Sequence, residues 1–282
     1  MASKSVLTLI FLGSLVLALP SADFALEPEP APARTMALGW QDAAWIPAAL
    51  VIQIPAQLLY RGMPSADTAS LHRSDLPAYD RWVAGTYSPT ISLASDLLVL
   101  PLCAIPTALA AWDGWKSGGG LKPGLTDAVV FGEALAFSSA IDLMVRSTRV
   151  HPRPLVYGKD VPAKDRLAGE ASGSFYSGHA NAAFLAATYF AYTYPLRHPE
   201  FHGQAWLWAG SLGAATTVAA LRVAAGKHFL SDVVVGAAAG SFFGWAFAAM
   251  HLHAPQKEGD GGARMGMQLD ELGWHPQLTV TF

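Results

Sequence analysis

Residues 233–252, VVVGAAAGSFFGWAFAAMHL, decide the architecture. The run contains no Asp, Glu, Lys or Arg and is far longer than an ordinary strand. Wound as a helix, it spans about 30 Å, the thickness of a bilayer's hydrocarbon core. Gly236, Gly240 and Gly244 recur at every fourth position, so they share one helical face and allow close helix packing in lipid. Working outward, five further apolar segments precede it: Ala43–Tyr60, interrupted by Pro47 and Pro55, then Ile91–Trp112, Ala128–Val145, Ala180–Tyr194 and Ala205–Ala220. Their lengths and their Ala, Gly, Leu, Val and Phe content favour helices over strands. The expectation is an all-α fold, a bundle of about six helices over residues 43–253, embedded in a membrane.

Composition agrees. Of 282 residues, 52% are hydrophobic and 14% charged, against about 25% charged in an ordinary soluble domain. The net charge of -3 is spread over single residues, with no basic stripe and no zinc-ligand cysteine spacing, so nucleic acid is excluded as a partner. One cysteine, Cys103, excludes an internal disulfide. Lys4 followed by the apolar run Val6–Leu19 reads as an export signal over residues 1–22, either cleaved after Ala22 or kept as an N-terminal anchor. Residues 23–42 contain the Pro-rich stretch LEPEPAPAR and read as a linker. Residues 254–282 form a polar, Gly-rich tail ending in QLTVTF. Alternation there fits a short strand, and a disordered tail fits the composition equally.

Three clusters carry chemistry. Arg146-STRVHP-Arg153-Pro154 follows the third apolar segment, Ser177-Gly178-His179 precedes the fourth, and Arg222-VAAGK-His228-FLS-Asp232 bridges the fifth and sixth. Taken singly, each is ordinary: a snorkelling arginine, a helix N-cap, a His–Asp pair one turn apart. Together they make a phosphoryl-transfer set. Arg146, Arg153 and Arg222 match the oxygens of a phosphoryl group with charge-assisted, fork-shaped hydrogen bonds. Ser177 adds a hydroxyl and Gly178 a backbone N–H at a helix start, where anions are favoured. His228 and His179 supply a nucleophile and an acid, and Asp232 can set the tautomer of His228. An up-down bundle brings all three clusters to one face. No metal or other cofactor is required by this set, because the cationic side chains neutralise the phosphate themselves.

The set resembles the type-2 phosphatidic-acid-phosphatase superfamily, whose pattern runs Lys-x6-Arg-Pro, Pro-Ser-Gly-His and Ser-Arg-x5-His-x3-Asp. The resemblance covers Arg146–Asp232. It implies that His228 attacks phosphorus and forms a phosphohistidine, that Asp232 orients it, and that His179 protonates the leaving oxygen. It further implies that Arg146, Arg153, Ser177, Gly178 and Arg222 hold the phosphate. Three positions depart from the pattern: Arg146 replaces a lysine, Tyr176 a proline and Leu221 a serine. Each alters the phosphate pocket and none removes a catalytic role.

The charged loop Leu155–Ser174 is a candidate for recognising the rest of the substrate, with a plain solvated loop as the alternative. Lys227, beside His228, reads as a further phosphate contact or, more simply, as a solvent-facing lysine, and Glu133 and Asp142 as groups bonding helix to helix. The expected substrate is a phosphate monoester or diphosphate of a lipid, the expected location a membrane, with the site facing the periplasm or exterior. With the leader cleaved, parity keeps the segment from Ala43 out of a full crossing; with it retained, that segment can span. The alternatives are a soluble secreted acid phosphatase, a vanadium haloperoxidase using a similar oxyanion pocket, and a membrane scaffold without activity. The chain carries no signature of an oligomeric state.

Overall fold

A computed structural model describes residues 33–148, 152–253, 262–270 and 273–281. The leader and the first half of the linker, residues 23–32, lie outside these residues. Six long helices form: α1 Asp42–Arg61, α2 Pro89–Lys116, α3 Lys122–Ser147, α4 Gly178–Arg197, α5 Gln204–Ala224 and α6 Leu230–His251. Each contains one of the apolar segments, extended by a few residues to its caps, except that the sixth segment's last residue, Leu252, falls just beyond α6. Ser88 caps α2 by accepting from the Ile91 N–H, with Pro89 at the first helical position. Ser177 caps α4 in the same way, through the Ala180 N–H.

Pro47 and Pro55 do not interrupt α1, which runs unbroken through both. A membrane setting tolerates such residues where neighbouring groups satisfy the freed carbonyls. Five helices, α1, α2, α3, α5 and α6, are long and apolar enough to cross a membrane. They turn large apolar side chains outward, among them Val51, Leu58, Leu100, Trp206 and Phe242.

The remaining helix, α4, is the centre of the bundle and packs against α2, α3, α5 and α6. Its polar residues Asn181, Thr188 and Thr193 are buried. Ser138 Oγ on α3 donates to Asn181 Oδ1 at 2.8 Å. Because other helices surround α4, it needs no lipid-facing apolar surface and its hydropathy is lower. The glycine stripe of α6 lies directly on α4. A Cβ at Gly236, Gly240 or Gly244 would stand 2.1–2.6 Å from the carbonyl oxygens of Ser177, Asn181 and Leu185. Only bare backbone permits that approach.

Two short strands, β1 Thr35–Met36 and β2 Leu252–His253, pair antiparallel and tie the entry of α1 to the exit of α6. Beyond them, β3 Gly262–Asp270 and β4 Gly273–Thr281 form an antiparallel hairpin in the register Gly262↔Thr281 and Asp270↔Gly273. Of the two readings of the tail, the strand is the one adopted.

Candidate active site

The face that carries the site is built from the C-terminal end of α3, the N-terminal end of α4, the α5–α6 connection and the segment between α3 and α4. That segment is solvated only in part: Lys159, Asp160, Lys164 and Glu170 are exposed. Leu155, Val156, Val161 and Ala171 are buried in it and pack with Ala66, Leu71 and Tyr87. Its backbone is stitched to the α5–α6 turn by Leu155 N–H donating to the Gly226 carbonyl, and to itself by Arg153 N–H donating to Ala171. Gly226 has φ +73°, and a Cβ there would stand 1.8 Å from the Thr86 carbonyl oxygen. The turn that presents Lys227 and His228 therefore depends on glycine for both conformation and space.

His228 is buried, 1% exposed. Its Nδ1 lies 2.9 Å from the Ser174 carbonyl oxygen and 3.5 Å from Asp232 Oδ2. A carbonyl can only accept, so Nδ1 carries the proton and Nε2 keeps its lone pair. Asp232 is bound mainly to other groups: its Oδ2 accepts from Ser174 Oγ at 2.5 Å and from the Phe229 N–H at 2.9 Å, closing the first turn of α6. Asp232 thus holds the residue whose carbonyl orients the ring. Burial, ahead of the neighbouring cations Arg153 and Arg222, lowers the pKa of His228 to about 3, although the Asp232 hydrogen bond pulls the other way.

Arg222 is held by α2. Its Nη1 donates to Ser95 Oγ at 2.9 Å and to Asp96 Oδ1 at 2.7 Å. The same Asp96 oxygen lies 2.8 Å from His179 Nε2. One carboxylate oxygen therefore bridges the guanidinium and the imidazole. Arg153 donates from Nη2 to Tyr60 Oη at 3.2 Å, and Arg146 stacks over the Tyr60 ring while pairing with Asp142 on its own helix. The Asp142 pair is thus within α3, not between helices. Arg146 and Arg153 are both close enough to act electrostatically on Arg222. Each of the three arginines buries an Nε–H that has no acceptor among the described residues. Ser177 is fully buried, its hydroxyl occupied in capping α4, and a Cβ on Gly178 would crowd the Asp142 and Arg146 side chains.

All eight sequence-derived residues thus meet at one end of the bundle. Residues 128–255 match the PAP2 superfamily. This is the superfamily whose motifs the three clusters resemble, and the PAP2 match spans all of them. No curated protein and no solved structure matches the chain. The match points to phosphatase chemistry at the level of the superfamily, and five of the helices are long and apolar enough to cross a membrane.

Three groups escaped the motif reading. Asp96, Ser174 and Tyr60 lie outside or between the PAP2 clusters, and only their tertiary positions connect them to the site. Lys227 is half-buried, and burial together with the neighbouring Arg153 and Arg222 lowers its pKa. An apolar groove of about 420 Å³ opens beside the site. Tyr79, Trp82 and Phe184 line it together with Val223, which follows Arg222 in the chain, and Leu230, two residues after His228.

Proposed function

We propose that this chain is a metal-independent phosphatase that hydrolyses a phosphate monoester or diphosphate of a lipid through a phosphohistidine on His228. The observation that carries the reading is the fixed tautomer of His228, whose proton is committed to the Ser174 carbonyl while buried, unpaired guanidinium N–H groups stand nearby. A neutral imidazole with a free Nε2 is a nucleophile, and unpaired buried donors are what a phosphoryl oxygen satisfies.

The steps follow from these groups. Nε2 of His228 forms a bond to phosphorus as the bond from phosphorus to the leaving oxygen breaks, and His179 gives that oxygen its proton. Water then attacks phosphorus, His179 takes the proton back, and the N–P bond breaks to return neutral His228 and inorganic phosphate. Arg146, Arg153, Arg222 and Lys227 balance the charge on the three equatorial oxygens throughout. Asp96 occupies the position between Arg222 and His179 that a phosphoryl oxygen takes in this scheme, so it swings aside as substrate enters. The groove beside the site supports a lipid substrate, since it offers an acyl or prenyl chain an apolar bed next to the phosphate pocket. The site is assigned to the periplasmic or exterior side, which fits an exported leader.

The test is phosphate release by detergent-purified protein in EDTA, with lipid phosphates and a water-soluble phosphate ester as substrates and His228→Ala alongside. The reading expects release that survives EDTA, is blocked by vanadate and disappears in the variant. Release unaffected by loss of His228 would overturn it, and preference for the soluble ester would replace the lipid assignment with a non-specific phosphatase.

A further inference from the structure

At the end of the bundle away from the phosphate pocket, three ionisable side chains from three helices converge. Asp42 opens α1, Glu133 lies within α3 and His251 closes α6. Their side chains are 8%, 2% and 0% exposed. His251 Nε2 is 2.6 Å from Asp42 Oδ1 and 4.0 Å from Glu133 Oε2, and one ligand atom from each residue lies within 4.8 Å of the others. We infer that Asp42, Glu133 and His251 form a binding site for a divalent transition-metal ion of the Zn²⁺ or Mn²⁺ type, which fastens α1 and α3 to the end of α6.

The orientation of the imidazole points to a cation. His251 Nδ1 donates to the Phe247 carbonyl at 2.6 Å, which turns Nε2 toward the two carboxylates. An unprotonated Nε2 and carboxylates repel one another unless a cation stands between them. A proton shared with Asp42 would serve that pair alone. Glu133 Oε2 would still be buried with no hydrogen-bond partner among the described residues, which is how it stands here. A metal ion satisfies all three groups at once.

The surroundings resemble those of a metal ligand set. The backbone carbonyl on His251 Nδ1 is the usual outer partner of a ligating histidine, and the Gly39 N–H holds the second oxygen of Asp42. Ala37 N–H donates to the His251 carbonyl at 3.0 Å, and the β1–β2 pair closes the chain over the same spot. One nitrogen and two carboxylate oxygens suit Zn²⁺ or Mn²⁺ better than Mg²⁺ or Ca²⁺, which favour all-oxygen shells. Around Zn²⁺ at about 2.0–2.1 Å, neighbouring tetrahedral ligand atoms stand roughly 3.4 Å apart. The His251–Asp42 contact would open by under 1 Å and Glu133 would close by a similar amount. His251 lies roughly 28 Å along α6 from Asp232, so this ion takes no part in phosphoryl transfer, and the proposal is independent of the function assigned above.

The full chain, purified in detergent without a polyhistidine tag, is analysed for metal by mass spectrometry. It is then stripped by prolonged chelator dialysis and titrated with Zn²⁺ or Mn²⁺ while thermal unfolding is followed. The expected result is about one metal ion per chain and a rise in Tm of roughly 5–10 °C on reloading. Both should be lost in Glu133→Gln, which keeps shape and removes charge, and in Asp42→Asn. Wild-type protein with less than a tenth of an equivalent and no thermal response would overturn the site, as would undiminished metal binding in folded Glu133→Gln. Should a variant fail to fold, the metal content and Tm response of the wild-type chain decide the matter alone.

Discussion

His228 Nδ1 lies closer to the carbonyl oxygen of Ser174, at 2.9 Å, than to the carboxylate of Asp232, at 3.5 Å. Ser174 in turn gives its hydroxyl proton to Asp232. The carboxylate therefore acts on the ring largely through a serine that belongs to none of the three motifs, and the two groups should differ in how much their loss costs.

His228→Ala removes the nucleophile and should abolish phosphate release, whereas Asp232→Asn should leave a measurable residue, lowered on the order of 100-fold. Single-turnover kinetics with trapped phosphoenzyme would separate the two. Equal, complete loss in both variants would mean that Asp232 serves His228 directly.

Acid should affect this enzyme late. In the proposed reaction His228 acts as the free base, and burial lowers its pKa to about 3. The acid limb of kcat/KM should therefore fall below about pH 5, under the range of a free imidazole. The linkage has the same sign. A depressed native pKa means that the unfolded chain takes up a proton first, so His228 stabilises the fold above about pH 6.5 and that contribution fades as pH falls toward 3. A kcat/KM limb centred at pH 6.5 would contradict the buried environment.

Asp96 links Arg222 to His179 through one oxygen, the place of a substrate oxygen in the proposed reaction. Asp96→Asn should remove that competitor and tighten inhibition by inorganic phosphate several-fold, with a lower KM. Weaker phosphate binding in the variant would show that Asp96 positions the two cations instead of competing for them.

Gly226→Ala should cost stability by about 2 kcal/mol or more, since φ +73° is strained for alanine and its Cβ would strike the Thr86 carbonyl. Activity should fall with it, because the same turn presents His228. Chemical denaturation and phosphate release on the folded fraction measure the two effects.

Ala237 lines the apolar groove. Ala237→Phe should raise KM for a long-chain lipid phosphate by roughly 10-fold and leave a short soluble ester unaffected, the worth of one or two methylene-sized contacts. Equal effects on both substrates would separate the groove from substrate binding.

Much of this was legible in the residues. The runs around Val99, Ala134 and Ala238 were apolar over lengths that only a helix can use, so six helices could be placed to within a few residues. The order Arg146, Arg153, His179, Arg222, His228 along antiparallel helices was sufficient to predict a shared face. The prolines of α1 misled locally, because losing a backbone donor breaks an isolated helix more readily than one packed among others.

What the sequence determined by itself were properties carried by near neighbours: helix periodicity, caps, and motif residues held at fixed spacing on one element. What only the tertiary structure decided were contacts between positions far apart. Asp96 meets His179 across 83 residues and Ser174 meets His228 across 54. Asp42 meets His251 across 209. Such pairings depend on which faces of packed helices come together, and that is set by the sum of many weak contacts, above all the glycine stripe of α6 lying on α4. No single segment encodes that sum, so the helices could be read one by one while the partners that orient His228 and gather Asp42, Glu133 and His251 could not.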